Sequence, residues 1–517
     1  MRRFSIALGL ALLYAAAYYL PLLTPFSLYF VPSFFDFVLW PSLVSVIVLT
    51  PILYFASARL ADSRWGRHLQ FWGATALVII AAKCVLDAAG YPWVKLLTAL
   101  PSTITGAAQE MRWARIVFVG LVLGAALFFV YRIRQDVSKL LRFLSTLGYT
   151  FLLLAVYRCI TADLIVPDTP GDGARATVAA ASNVPTPRRV VWVIFDEMDY
   201  AMSMGPDAKR SQLPNFMRLG ARSVSASNAY SPGMSTLYSI PSLLMGKPVS
   251  GYEVVPQIQV HLRDNEGKTL AFGVTDSLFE KLPGGPANAS VLGFYHPYCK
   301  VLPGLQSCHS TYLGNAGRWF DSLVFFSETI FSALRHVKWC IQYMPEPLLF
   351  QFDPMYRASS NVLSRLDSTM ANKNSSLDFI HLNLPHLPNV YVQRLLQQPT
   401  GNDKDGYAQN LIGADMVLAR IIAELEVQAK QQEILLVVSS DHWLRSRSPL
   451  SERVPFMVWK VGDQTGHAVP QRFSTVHSAA IVIDFLNGNL HSQSDIADRM
   501  SKATFYETWI PPDDYRF

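Results

Sequence analysis

Hydrophobic positions are spread unevenly along the chain, and the first third holds five long apolar stretches. They occupy residues 4–24, 37–57, 71–90, 116–131 and 143–157. The first three reach the ~20 residues that a membrane-spanning helix requires, whereas the last two depend on flanking residues to reach the interfaces. We therefore predict an N-terminal α-helical membrane domain of about five transmembrane helices, over residues 1–162.

Positive charges around these stretches predict their orientation. Arg2 and Arg3 precede the first stretch, and further Arg and Lys residues lie between the second and third and between the fourth and fifth. Such segments stay in the cytoplasm. An odd number of spans then places the C-terminal half outside the cytoplasm. A cleaved signal peptide in place of the first span is the alternative, and it leaves that half outside as well.

The pattern changes after residues 163–189, a linker with four prolines and two glycines. Short, continuous apolar runs follow, and stretches of helical periodicity such as 407–425 lie between them. Continuous apolar runs are typical of strands buried on both faces of a sheet. We place these strands at 190–195, 378–382, 434–438 and 454–459. Residues 190–517 are therefore predicted to form an α/β domain with a mostly parallel central sheet.

Composition narrows the class of protein. Charged residues make up 16% of the 517, against about 25% in ordinary soluble proteins, which fits a chain that lies partly in lipid. A net charge of +6 and the absence of a nucleic-acid motif exclude a nucleic-acid partner. Cys299 and Cys308 flank a Pro-Gly loop and are expected to form a disulfide outside the cytoplasm, with two buried thiols as the alternative.

Acidic and histidine side chains follow two of the predicted strands. Asp196 and Glu197 come directly after the run 190–195, and Asp441 and His442 follow the run that begins at residue 434. The carboxyl ends of strands in an open α/β sheet meet at the edge where ligands bind. Carboxylate oxygens and imidazole nitrogens are the ligands of hydrolytic zinc sites, so the sequence predicts a metal site at this edge.

A third element, residues 231–247, joins a Pro-Gly turn to hydroxyl side chains and an apolar stretch. Ser235 and Thr236 are predicted near a helix N-terminus, where backbone N–H groups and the helix dipole favour an anion. A hydroxyl beside a metal ion can act as a nucleophile. An ordinary N-cap is the alternative interpretation.

These three elements, in this order, resemble the alkaline phosphatase–sulfatase superfamily. Five spans ahead of such a domain are similar to the bacterial phosphoethanolamine transferases and lipoteichoic acid synthases. The resemblance extends over further segments at 213–230, 381–389, 439–443 and 454–462.

The resemblance implies a role for each candidate residue. Thr236, within Ser-Thr-Leu-Tyr-Ser-Ile-Pro, is the implied nucleophile, and Ser235 is an implied substrate contact. His386 is the implied contact to the phosphoryl group or to a second metal ion. The implied zinc ligands are Glu197, Thr236, Asp441 and His442, with Asp196 as an extra ligand. Either one or two metal ions fit, and Mn²⁺, Mg²⁺ and Ca²⁺ are alternatives to Zn²⁺.

The nucleophile position also argues against one branch of the superfamily. Formylglycine sulfatases carry Cys or Ser where this chain has Thr236, and Thr cannot be converted to formylglycine. Tyr238 and Ile240 stand where those enzymes have Pro and Arg. A formylglycine sulfatase is therefore disfavoured. The chain also departs from the phosphoethanolamine transferases, because the cysteine pair that flanks the nucleophile in those enzymes is missing.

The implied activity is that of a membrane-bound, metal-dependent phosphotransferase. It moves a phosphoethanolamine or phosphoglycerol headgroup from a membrane phospholipid, through a phosphothreonine, to a glycan or lipid acceptor of the cell envelope. The implied location is the inner membrane of a bacterium, with the catalytic domain in the periplasm. A sulfatase-like hydrolase or phosphodiesterase using the same site is one alternative, and a non-catalytic envelope scaffold is another.

Two further histidines are expected to serve the fold. His296 lies among aromatic residues in Phe-Tyr-His-Pro-Tyr, which favours packing over a place in the pocket. His477 precedes an apolar helix and is expected to be a structural polar residue.

Overall fold

The computed structural model describes most of the C-terminal two thirds of the chain and three N-terminal helices. The described residues are 2–19, 40–60, 137–161, 187–255, 259–264, 267–311, 345, 354–386, 392, 395–396, 406–445 and 452–510. The chain divides into two compact units, one with the N-terminal helices and one with the α/β domain. Each unit is described by itself.

The N-terminal unit contains three described helices, α1 (Arg2–Tyr19), α2 (Trp40–Leu60) and α3 (Val137–Thr161). Helix α1 packs against α2 and α3. It approaches α3 closely at Gly9, where a Cβ on Gly148 would lie 1.8 Å from the Gly9 carbonyl oxygen.

Helices thus occupy the first, second and fifth predicted spans. None of the helices in the described residues combines the length and the apolarity that a membrane crossing requires. The third and fourth predicted spans, residues 71–90 and 116–131, and most of the predicted linker lie outside the described residues.

The α/β unit contains the described strands and the remaining described helices. The strands are β1 (Arg188–Asp196), β2 (Val224–Ala226), β3 (Ala229–Tyr230), β4 (Val249–Val255), β5 (Gln259–Asp264), β6 (Thr269–Ala271), β7 (Ala289–Phe294), β8 (Ser307–Thr311), β9 (Leu377–Pro385), β10 (Glu433–Ser440), β11 (Phe456–Lys460), β12 (His467–Val469) and β13 (Phe473–Ser474). The helices are α4 (Tyr200–Ser203), α5 (Pro214–Arg222), α6 (Thr236–Met245), α7 (Leu278–Lys281), α8 (Tyr298–Val301), α9 (Pro354–Ala371), α10 (Gly406–Gln428), α11 (Ser478–Leu486) and α12 (Gln493–Ser501).

Eight of these strands form the main sheet, in the order β12-β2-β11-β10-β1-β9-β7-β8. The run β10-β1-β9-β7-β8 is parallel throughout, and β11 is antiparallel to both of its neighbours. The four predicted strands correspond to β1, β9, β10 and β11, so the prediction of an α/β domain with a mostly parallel sheet is confirmed. Two smaller sheets, β4-β5-β6 and β13-β3, lie outside the main one.

Helices cover both faces of the sheet, which explains why its central strands are apolar without alternation. Val191, Val193 and Phe195 of β1 belong to one core, together with apolar residues of α5, α9 and α10. Helix α11 packs against β1 as well, and its buried residues lie outside that core. A strand buried on both faces needs apolar residues at successive positions. This arrangement leaves the strand ends as the places where polar side chains gather.

Candidate active site

The carboxyl ends of three neighbouring strands supply most of the site. β1 ends at Asp196, β10 is followed by Asp441 and His442, and β9 is followed by His386. Because β10, β1 and β9 are adjacent and parallel, these side chains come to one edge of the sheet. Thr236, the first residue of α6, reaches the same edge.

Four buried donor atoms converge there. Thr236 Oγ1 lies 2.6 Å from Asp441 Oδ2 and 3.5 Å from His442 Nε2. His442 Nε2 lies 3.4 Å from Asp441 Oδ2 and 3.6 Å from Asp196 Oδ1. The ligand atoms of Asp196, Asp441 and His442 all lie within 4.8 Å of one another. We refer to these four residues as the candidate metal site.

The donors fit a divalent cation. Asp196 Oδ1 is buried and has no hydrogen-bond partner. Burial raises the pKa of Asp196 well above its usual value, and the Asp441 and Glu197 carboxylates raise it further. Two buried carboxylates cannot both ionise without a cation beside them. Neighbouring ligand atoms around tetrahedral zinc are about 3.4 Å apart, which matches the separations from His442 Nε2.

Backbone and side-chain hydrogen bonds orient these donors. His442 Nδ1–H donates to the Trp443 carbonyl over 2.9 Å, so Nε2 presents its lone pair to the site. Asp441 Oδ1 accepts from the backbone N–H groups of Glu197 (3.0 Å) and His442 (2.7 Å). Burial opposes ionisation of Asp441, but the His442 and His381 imidazoles and the Thr236 hydrogen bond together hold its pKa below the usual value. Asp441 is thus the carboxylate that stays charged.

The structure separates two adjacent carboxylates that the sequence predicts together as metal ligands. Asp196, rather than Glu197, joins the candidate metal site. Glu197 follows the last residue of β1 with a positive φ of 64°, and this turn directs its side chain elsewhere. Its carboxylate lies 3.5 Å from His386 Nε2 and 3.6 Å from Arg445 Nε. Glu197 is therefore the anionic centre of a second cluster at the rim.

That rim cluster contains Arg445, a residue that no sequence motif singled out. Arg445 lies four residues after Asp441, and its charge lowers the pKa of Asp196 against the raising effects of burial and the nearby carboxylates. The only sign of Arg445 in the sequence was its position shortly after the Asp441-His442 pair. His386 occupies the predicted place beside the site but is engaged with Glu197. His386 and Arg445 thus both lie beside the Glu197 carboxylate.

Thr236 stands at the N-terminus of a ten-residue helix. Ser235 is the N-cap of α6, and its side chain makes no capping hydrogen bond. The first N–H groups of a helix lack partners within the helix and favour an anion at that end. Ser235 thus lies where the sequence predicts it, beside the nucleophile candidate.

Two fully buried histidines support this region. His296 Nε2–H donates to the Thr236 carbonyl over 3.1 Å, and its ring packs against Phe272 and Tyr295. The expected packing role is present, and the hydrogen bond to the nucleophile candidate adds to it. His381 shares a hydrogen bond of 2.8 Å with the Tyr298 hydroxyl. Its position on β9, five residues before His386, was the sequence signal for it.

The two predicted disulfide cysteines lie on the helix that begins at Tyr298 and on β8. Cys299 and Cys308 form a disulfide, with their Cα atoms 5.5 Å apart. The bridge joins α8 to β8, and α8 begins at Tyr298, the residue that contacts His381.

Comparisons with known proteins yield structural likeness only. No protein-family model and no curated protein matches the sequence. Similar solved structures include the C-terminal periplasmic domain of phosphoethanolamine transferase EptC from Campylobacter jejuni, at 14% identity over 60% of this chain and 92% of that one, with a TM-score of 0.33. They also include the lipoteichoic acid synthase LtaP from Listeria monocytogenes, at 11% identity over 58% and 72%, with a TM-score of 0.37.

An alkaline phosphatase superfamily protein from Vibrio parahaemolyticus is a third, at 10% identity over 58% of this chain and 66% of that one, with a TM-score of 0.33. These neighbours belong to the superfamily that the motifs resemble. At such identities and TM-scores the likeness says nothing about activity, so any activity must be inferred from the side chains of this chain.

Proposed function

We propose that this protein is a metal-dependent enzyme that transfers a phosphoryl-linked group through Thr236. The observation that carries the proposal is the 2.6 Å contact between Thr236 Oγ1 and Asp441 Oδ2, inside a buried group with Asp196 and His442. A hydroxyl with only a capping role would need no buried carboxylate. The orphaned oxygen of Asp196 supports a bound cation.

Asp196, Asp441 and His442 would hold the cation, with Thr236 as the fourth donor. The imidazole ligand favours zinc over the harder Mg²⁺ and Ca²⁺ ions, which prefer oxygen. When bound, the cation lowers the pKa of a coordinated hydroxyl and neutralises developing negative charge. Arg445 and His386, which both contact Glu197, would bind the non-bridging oxygens of the substrate.

The proposed reaction has two displacements at phosphorus. Thr236 Oγ1 forms a bond to phosphorus while the bond from phosphorus to the diacylglycerol oxygen breaks. The Thr236 hydroxyl proton, hydrogen-bonded to Asp441 in the structure, ends on the released diacylglycerol. An acceptor hydroxyl then attacks the phosphothreonine, and its proton returns to Thr236 Oγ1. The headgroup leaves on the acceptor.

The donor and the acceptor are inferred from the sequence rather than from the geometry. The resemblance of residues 235–241 to the phosphoethanolamine transferases supports a phospholipid donor. The apolar N-terminal stretches support a place in a bacterial inner membrane, with the α/β unit in the periplasm and an envelope glycan or lipid as acceptor. An enzyme held at the membrane surface would meet a two-chain lipid without extracting it into water.

Replacing the nucleophile tests the proposal. Thr236→Ala is expected to reduce turnover of a fluorescent phosphatidylethanolamine in detergent micelles by at least about 10³-fold, because no other hydroxyl occupies that position. Metal content, measured by plasma mass spectrometry, is expected to stay close to that of the wild type, because Asp196, Asp441 and His442 remain.

Ser242→Ala is the matched control, since it removes a hydroxyl from the same helix that donates to the Tyr238 carbonyl instead. It should retain turnover. Full activity in Thr236→Ala would refute the nucleophile. Headgroup release that does not depend on an added acceptor would show that the reaction is hydrolysis, with water as the acceptor, and not transfer.

A further inference from the structure

Residues 231–235 form the turn before Thr236, and few side chains from nearby in the sequence form hydrogen bonds to it. Ser231 Oγ and Ser239 Oγ both donate to the Gly233 carbonyl, over 2.9 and 2.7 Å. The N-cap residue, Ser235, makes no side-chain capping hydrogen bond. Asp441 holds the Thr236 hydroxyl and His296 holds its carbonyl, so the contacts of residues 231–235 decide how the chain that leads to Thr236 is held.

A segment from the far end of the chain lies along this turn. The backbone N–H of Trp509 donates to the Pro232 carbonyl over 2.9 Å, and Thr508 Oγ1 donates to the Ser231 carbonyl over 2.7 Å. Trp509 also forms an isolated parallel bridge with Gly233. Three consecutive residues of the turn are thus tied to two consecutive residues of the segment.

The same segment reaches past Thr236 to the helix itself. The Trp509 ring packs edge-on against Tyr238, with centroids 4.4 Å apart. Tyr238 belongs to the first turn of α6, two residues after Thr236. Trp509 therefore contacts the chain on both sides of the nucleophile candidate.

The segment is itself fixed to the α/β unit. His477 Nε2–H donates to the Thr504 carbonyl over 2.6 Å. Arg472 pairs with both carboxylate oxygens of Glu507, at 3.1 and 3.2 Å, and stacks 3.9 Å from the centroid of Phe505. These contacts anchor residues 504–507 to the α/β unit without involving the candidate metal site. The next two residues, 508 and 509, contact the turn and are therefore held in place as well.

We propose that residues 504–509, which we call the C-terminal strap, hold Thr236 in the position from which it attacks. Thr508 and Trp509 are its positioning residues, and neither reaches the candidate metal site in the structure. The inference rests on the proposed function, because it takes Thr236 as the nucleophile. Misplacing a reacting atom by about 1 Å costs on the order of 10²-fold in rate, so a loosened turn is expected to lower kcat.

Trp509→Ala and Thr508→Val test the strap in the full-length protein. We expect kcat for the fluorescent phosphatidylethanolamine to fall about 10- to 100-fold in Trp509→Ala and about 3- to 10-fold in Thr508→Val. KM and metal content are expected to stay within twofold of the wild type. Trp509→Phe should recover most of kcat, since it restores an aromatic ring against Tyr238, whereas the backbone N–H that donates to Pro232 is present in both variants. Ile510→Ala, at an exposed neighbouring position, is the control.

Hydrogen exchange supplies a readout that does not depend on turnover. Peptides covering residues 231–240 should exchange at least about tenfold faster in Trp509→Ala and not in Ile510→Ala. If the wild type turns over no phospholipid, the proposed function fails while this measurement still decides whether the strap holds the turn. Unchanged exchange in both strap variants would overturn the inference, and so would faster exchange with wild-type kcat.

Discussion

At the scale of single residues, burial keeps the site's supporting histidines uncharged. Burial lowers the pKa of His296 to about 3, although its hydrogen bond to the Thr236 carbonyl works against this. Burial likewise lowers the pKa of His381 to about 4, with the Asp441 carboxylate opposing the shift. Neutral imidazoles leave the positive charge of this region to the candidate cation and Arg445.

These shifts predict how stability depends on pH. Above the ordinary histidine pKa of about 6.5, His296 is neutral in both the folded and the unfolded chain and contributes nothing. As pH falls below 6.5, the unfolded chain gains protons that the folded chain does not bind until about pH 3. His296 should therefore reduce the unfolding free energy by up to about 1.4 kcal/mol per pH unit, over the window between about 6.5 and 3.

His296→Gln checks this dependence, because the Gln amide can still donate to the Thr236 carbonyl. Between pH 6.5 and 4, the variant should show a shallower fall of unfolding free energy than the wild type. The measurement is urea unfolding at several pH values, with His491→Gln as an exposed control. Parallel curves for the wild type and His296→Gln would show that His296 is protonated in the folded protein.

At the scale of elements, the disulfide fixes the short helix α8. Its Tyr298 contacts His381 through the hydroxyl, and the Tyr298 ring packs edge-on against Phe379. A four-residue helix has little stability of its own, since nucleation is costly. The bridge from Cys299 to Cys308 therefore keeps Tyr298 against the sheet.

Removing the bridge should destabilise the α/β unit. Cys299→Ser with Cys308→Ser is expected to lower the unfolding free energy by about 2.5–3 kcal/mol in the chain-entropy model for so short a loop. Urea unfolding measures the loss, and the wild type in reducing agent should match the double variant. Equal stability of the oxidised wild type and the double variant would show that the bridge contributes nothing.

Part of the fold and of the candidate site could be predicted from short segments of the sequence. Strands β1, β9 and β10 were predictable because burial on both faces requires continuous apolar runs. Thr236, Asp441 and His442 were predictable because strand and helix ends place them at one edge. Their place in the structure agrees with that expectation, whereas their roles in catalysis stay predictions.

The separation of Asp196, which joins the candidate metal site, from Glu197, which does not, was not predictable from either residue. Adjacent carboxylates carry the same chemistry, and the positive φ at Glu197 is set by the packing around it. Tyr407 donates its hydroxyl to the Glu197 carbonyl, and Asp441 accepts from the Glu197 N–H. Both partners lie more than 200 residues away along the chain.

At the scale of the whole molecule, the site is assembled from distant parts of one unit. Residues 196, 236, 386, 441 and 442 supply its side chains, and residues 508–509 contact the turn that leads to the nucleophile candidate. The site therefore forms only when the sheet and its C-terminal segment are both in place. The sequence showed no sign of the strap, since neither its composition nor its periodicity points to the turn near residue 233.

The most direct test is peptide mass spectrometry of residues 231–247, on full-length protein purified from its native cells. We predict a phosphoethanolamine or phosphoglycerol adduct on Thr236, which would identify the nucleophile and the donor headgroup together. The adduct should be absent from Thr236→Ala and should disappear when the acceptor is supplied. An adduct on a different residue of wild-type protein, with Thr236 unmodified, would contradict the central role given to Thr236.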